Sequence, residues 1–179
     1  MRRGKASGLM ICAMALIALV GPGHAAETTI QANAAITGEG RFYPATESLL
    51  LFSGYFDGAI NVTQQQGDLV VNAASLVCPG TLEVNTTSHT QQGEGRCFFL
   101  TQSGDHIYAR WTCTGKPGEG CGGPFTVLGG TGRFSTMSGQ GEFMIQSTVA
   151  EAVVKIPEGG VTGSFTGKAQ WPSLKLTTK

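Results

Sequence analysis

The chain reads as an all-β domain whose antiparallel strands curl into a closed barrel, and three observations carry that reading. Apolar and polar residues alternate with period two along its cleanest stretch. Glycine is about twice as frequent as usual, at 27 of 179 residues. Turn-forming clusters recur at roughly ten-residue spacing, the pattern of a sandwich or barrel. The cleanest stretch comes last, where Val161, Gly163, Phe165, Gly167, Ala169 and Trp171 alternate with Thr162, Ser164, Thr166, Lys168 and Gln170. One face of that strand is buried and the other wet. Glycines on the apolar face mark crowding or bending, as when a sheet closes on itself, which favours a barrel over an open sandwich.

Taken in order, the chain begins with Arg2, Arg3 and Lys5 ahead of an apolar run from Leu9 to Val20, and Gly23-His24-Ala25 offers small residues for cleavage. This is the pattern of a secretory signal peptide, residues 1–25, followed by a single domain over 26–179. The run is short for a membrane span of about 20 residues. No bulky apolar pair follows the two arginines, so the general export route fits better than a twin-arginine one. Losing Arg2, Arg3 and Lys5 leaves nine of the 12 basic residues against 12 acidic ones, a net charge near −3. That balance argues against nucleic acid or an anionic membrane as partner. The mature chain is therefore expected outside the cytoplasm, periplasmic or extracellular, with no membrane span.

Thr28 to Thr46 contains the first strand. Turn signals follow at TGEG (37–40), QQGD (65–68), PG (79–80), QGEG (92–95), SGD (103–105), GGTG (129–132), SGQG (138–141) and PEGG (157–160). STVAEAVVKI (147–156) carries five β-branched residues and reads as strand rather than helix. The stretch from Gly122 to Phe143 is a hairpin in which Phe125, Val127 and Phe134 supply β-favouring bulk and Gly129, Gly130 and Gly132 supply the turn. A phosphate-binding loop fails on spacing, since Gly139 and Gly141 oppose the helix it needs.

Cys78, Cys97, Cys113 and Cys121 form an even set in a chain bound for an oxidising compartment, which reads as two disulfides. Three pairings exist. Cys113 with Cys121 would close the loop TGKPGEG, and Cys78 with Cys97 would tie neighbouring strands, so this pairing is favoured. The cysteines lack the close C-x-x-C spacing of structural zinc, and no metal or cofactor is called for.

In DHIYARWTC, from Asp105 to Cys113, Ile107, Ala109 and Trp111 share one face while His106, Tyr108 and Arg110 share the other. Either the Trp111 face is buried, or Tyr108 and Arg110 turn inward to hold the polar end of a ligand. Parity alone does not choose, because a one-residue slip reverses every side chain. Glu142 is a candidate partner for Arg110 across strands, as an acid–base group or an ordinary ion pair. His89 and His106 fall in different strands, and no nucleophile–base constellation assembles from the sequence.

The run Gly95 to Phe143 resembles bacterial exported proteins with the allene oxide cyclase barrel-like fold, relatives of plant dirigent proteins. The resemblance rests on GRC, SGD, RWTC, FTVLGGTGRF and SGQGE. It covers about a third of the mature chain. It implies an eight-stranded antiparallel barrel with an apolar lumen, often a homotrimer. Plant members cyclise an unstable epoxide or steer radical coupling by confining a reactive molecule. No catalytic motif of that family transfers residue by residue.

Three functions follow as expectations. The first is an exported barrel binding a small apolar molecule, with Tyr108, Arg110, Trp111, Phe134 and Glu142 as ligand-binding candidates. Phe125, Phe143, Phe165 and Trp171 would line the lumen or fill it. The second is a cyclase or isomerase acting on a reactive lipid or phenolic compound through Tyr108, Arg110 and Glu142. The third is a structural or surface interaction protein. A lumen cavity of about 300 Å³ or more favours the first two.

Overall fold

The computed structural model describes residues 25–67, 73–155 and 160–178. Of the leader expected over residues 1–25, residues 1–24 lie outside them. Eight strands follow one another: β1 (Ala26–Pro44), β2 (Leu49–Gln66), β3 (Ala74–Asn85), β4 (Thr90–Thr101), β5 (His106–Lys116), β6 (Gly120–Gly130), β7 (Ser138–Lys155) and β8 (Val161–Thr178). Each is antiparallel to its neighbour in the chain, and β1 pairs with β8 to close the barrel.

Alternation decides which way each strand faces. Along β1, Ile30, Ala32, Ala34, Ile36, Gly38 and Gly40 are buried, while Gln31, Asn33, Thr37, Glu39 and Arg41 are exposed. Apolar-in and polar-out is the reverse of the lipid-facing pattern of a membrane barrel. Among the described residues no helix is long and apolar enough to cross a membrane.

Four of the expected turns are not turns. TGEG lies inside β1, PG inside β3, QGEG inside β4 and SGQG at the start of β7. Between β1 and β2 and between β3 and β4 the chain reverses instead at short polar segments without glycine. Thr46 Oγ1 accepts from the backbone N–H of Ser48 and Leu49 at 3.3 and 3.1 Å. Asn85 Oδ1 accepts from Thr87 and Ser88 at 3.0 and 2.9 Å, ahead of His89 at φ 52°. Side-chain oxygens that bond the backbone two or three residues on are what such reversals require. QQGD and PEGG fall partly outside the described residues.

The hairpin expected over Gly122–Phe143 is present with one change. Phe134 belongs to a 3₁₀ turn, Gly132–Phe134, and β7 begins only at Ser138. This turn folds over the barrel end where β1 begins and β8 ends, and Phe134 and Met137 are buried there. Two motifs lock it. Gly132 sits at φ 52°, and a Cβ there would collide with the Asp105 carboxylate, so the SGD and GGTGRF segments meet at a point only glycine fits. Ser103 Oγ donates to Asp105 Oδ2 at 2.9 Å, the His106 N–H donates to Thr131 Oγ1 at 2.8 Å, and the Arg133 guanidinium lies 4.6 Å above the Phe134 ring. Behind this plug Phe125 packs against Trp171, Phe143 and Phe99, at ring-centroid separations of 5.5, 6.0 and 6.1 Å.

Disulfides join Cys78 to Cys97 across β3 and β4, and Cys113 to Cys121 across β5 and β6. All four cysteines are buried. Their separations of 19 and 8 residues set the order of their stabilising effects through loop-closure entropy. Replacing Cys78 and Cys97 by serine is expected to cost about 3 kcal/mol, and the Cys113/Cys121 pair about 2.5 kcal/mol. Urea denaturation of the two double variants checks both the size and the order.

Candidate functional site

The lumen is packed at the plugged end and hollow at the other. The register explains why. Gly163 of β8 pairs with Gly40 of β1, Gly40 with Gly54 of β2, Gly54 with Gly80 of β3, and Gly80 with Gly95 of β4. Five consecutive strands thus carry glycine in one hydrogen-bonded row, all on the inward parity. The row continues through Trp111 of β5 and Phe125 of β6 to Gly141 of β7.

Rings from neighbouring positions lean over this belt. A Cβ at Gly80 or Gly95 would lie 2.5 Å from Trp111 Cζ2, so the indole rests directly on those two backbones. Phe52 occupies the same place over Gly40 and Gly54, and Phe165 over Gly38. The rings cover the belt without filling the lumen above it. A cavity of about 370 Å³ remains, walled by Phe42, Phe52, Phe56, Leu82, Val84, Trp111, Phe143, Ile145 and Phe165, with Cys78, Cys113 and Cys121 in its side. Pro117 and Gly118 of the β5/β6 turn stand at its edge.

The chemistry of the cavity is almost wholly apolar. Among the described residues that line it there is no carboxylate, imidazole, amine or guanidinium. Gln91 is already committed, since its Nε2 donates to the Gly120 carbonyl at 2.8 Å. Trp111 Nε1 and Trp171 Nε1 are both buried without a hydrogen-bond partner among the described residues.

The five candidate residues fall in three places. Trp111 borders the cavity. Phe134 sits in the plug at the opposite end. Tyr108, Arg110 and Glu142 are on the outer face, because Trp111 faces inward and its strand neighbours must face out. Of the two orientations that parity left open, the one with the Trp111 face buried is present. Nor do Arg110 and Glu142 meet: Arg110 lies opposite Thr126, and Glu142 opposite Pro124 and Ser173. Of the aromatics expected in the lumen, Phe143 and Phe165 line the cavity, while Phe125 and Trp171 pack the barrel below it.

Phe42, Phe52, Leu82 and Val84 were not singled out by sequence, although a signal for the belt exists. Gly38-Glu39-Gly40-Arg41-Phe42, Gly93-Glu94-Gly95-Arg96-Cys97 and Gly139-Gln140-Gly141-Glu142-Phe143 share one G-x-G-x-bulky pattern on β1, β4 and β7. Glycine at period two, ending in a large or sulfur-bearing residue, is an inward strand face with side chains removed. Compared with protein-family models and with curated proteins, the sequence matches none.

The belt and the indole form one unit, and a double-mutant cycle checks it. Gly80→Ala is expected to destabilise by about 1–3 kcal/mol through overpacking. In a Trp111→Leu background the cost falls, leaving a coupling of at least about 0.5 kcal/mol between the two positions.

Proposed function

We propose that this protein is an exported barrel that binds a small, largely apolar and uncharged molecule in its lumen. The observation that carries the reading is the 370 Å³ cavity walled mainly by aromatic and aliphatic side chains, with no carboxylate, imidazole, amine or guanidinium among the described lining residues. Its volume is at the lower end of the range for small-molecule pockets, so the ligand is small. An unneutralised charge would be costly there, because no partner exists for it in an apolar wall.

Export is supported by the two disulfides, which suit an oxidising compartment. The eight-stranded barrel supports the kinship with the allene oxide cyclase and dirigent barrels, whose plant members confine a reactive molecule. The cyclase or isomerase reading depended on Tyr108, Arg110 and Glu142 acting in the lumen, and all three face outward. Confinement without proton transfer is what the cavity's residues suit.

The test uses a Trp171→Phe protein, in which Trp111 is the sole tryptophan. Titration with neutral lipophiles such as naphthalene and n-octanol is expected to shift Trp111 emission saturably, and octanoate to bind far more weakly. Ligand at 100 times Kd should add about 2.7 kcal/mol of stability. Affinity should stay flat between about pH 5 and 8, the range in which histidine would titrate. Val84→Trp fills the cavity and should abolish binding, whereas Val77→Trp on the outer face should not. Unchanged Trp111 emission and unchanged stability with every lipophile would overturn the proposal.

A further inference from the structure

A second site lies on the outside of the barrel. Arg96 of β4 and Arg110 of β5 are directly opposite each other in register, and both are exposed. Like charges set opposite on neighbouring strands repel, so the pair weakens the sheet unless something compensates. Among the described residues neither guanidinium is within salt-bridge distance of a carboxylate. Glu94 occupies the adjacent row, opposite Thr81 and Thr112, and lines the same groove as the two arginines.

The two arginines stand in a groove of about 890 Å³ that crosses the outer face from β2 to β6. Hydroxyls of Ser53, Thr81, Thr112 and Thr126 line it. Phe98, 44% exposed, borders it and meets the Tyr108 ring edge-on at 5.8 Å. Five strands about 4.8 Å apart make the groove roughly 19 Å across, too long for a single ion to occupy.

We infer that this groove binds an acidic glycan, with Arg96 and Arg110 together gripping a carboxylate or sulfate group of the chain. Guanidinium forks match such oxyanions two bonds at a time, and the flanking hydroxyls suit a polyhydroxylated backbone. A closed barrel offers no free strand edge, so a peptide has no backbone ladder to join. The mature chain's net negative charge, near −3, disfavours nucleic acid and any diffuse polyanion binding, which confines attraction to the arginine pair.

The test measures binding of a uronate oligosaccharide by the disulfide-intact mature protein, using calorimetry, with a neutral glucan of equal length, inorganic sulfate, an acidic peptide and single-stranded DNA as comparison probes. The uronate chain should bind best. Arg96→Ala and Arg110→Ala should each weaken it at least about tenfold, the loss of one charge-assisted bond pair. Glu94→Gln should tighten it. Because each arginine substitution also removes the like-charge opposition, thermal stability should hold or rise as affinity falls, a combination that a misfolded variant does not give. Lumen filling by Val84→Trp should leave uronate affinity unchanged, which separates this site from the cavity. The inference is overturned if the neutral glucan binds equally well, if sulfate, the acidic peptide or DNA binds as tightly as the uronate chain, or if both alanine variants retain full affinity.

Discussion

A single geometric constraint runs through this molecule: five neighbouring strands place glycine in one hydrogen-bonded row on the inward face. An eight-stranded barrel is just wide enough for its own side chains to fill it or for one small ligand to be held. Which of the two occurs depends on how many side chains each part of the wall contributes. Toward the plugged end, where Phe125 meets Trp171, large rings fill the lumen. Along the glycine stretch of the row the wall contributes almost no side chain, and rings from Trp111 and Phe52 reach sideways to cover bare backbone. Covering is not filling, so the space above them stays open. The cavity is thus a consequence of residue choice along a row of hydrogen-bonded partners, not of any special loop.

The same strand parity that opens the lumen separates two chemistries. Arg110 and Trp111 are adjacent in the chain and lie on opposite sides of a wall one residue thick. The repeated G-x-G-x-bulky pattern does likewise. Its glycines and bulky residues face in, while its intervening residues, Glu39 and Arg41, Glu94 and Arg96, Gln140 and Glu142, face out. Charge is therefore excluded from the lumen by register rather than by position along the chain. Desolvating any of these groups inside would be costly without a partner, so a slip of one residue is strongly disfavoured.

Period-two alternation made the sheet legible, and the last strand made closure legible, because Gly163 and Gly167 lie on its apolar face. The disulfide pairing present is the one favoured among the three that the sequence allows. The strand boundaries did not follow. Gly40, Gly80, Gly95 and Gly141 were read as turns because glycine clusters usually punctuate strands, yet here each lies under or beside a ring or a cross-strand backbone. Local sequence does not carry that information, since the ring over Gly80 and Gly95 comes from Trp111, on β5. The inward or outward face of Tyr108 was undecidable for a related reason. Parity is set by what the neighbouring strands present, and register is a tertiary quantity. The motifs SGD and GGTGRF were visible as turns, but their mutual fit, Asp105 against Gly132, needed the fold.

A hollow end must be held together by something other than side-chain packing, because atoms facing a void lose the dispersion contacts that a filled core provides. The two disulfides stand where that deficit lies. Cys78, Cys113 and Cys121 border the cavity, and their bridges clamp β3 to β4 and β5 to β6, the strands whose Gly80, Gly95 and Trp111 form half of the belt. The plugged end needs no such clamp, having Phe134 and Met137 in its core and an Asp105-centred network across its turns. Covalent constraint and internal space are therefore two aspects of one solution. Cross-links that restrict the unfolded chain offset the packing given up to keep the lumen open. Those cross-links persist only where thiols stay oxidised. Redox conditions and the cavity are linked by this energetics: a barrel with this much glycine in its wall keeps its hollow form most securely where its thiols stay oxidised.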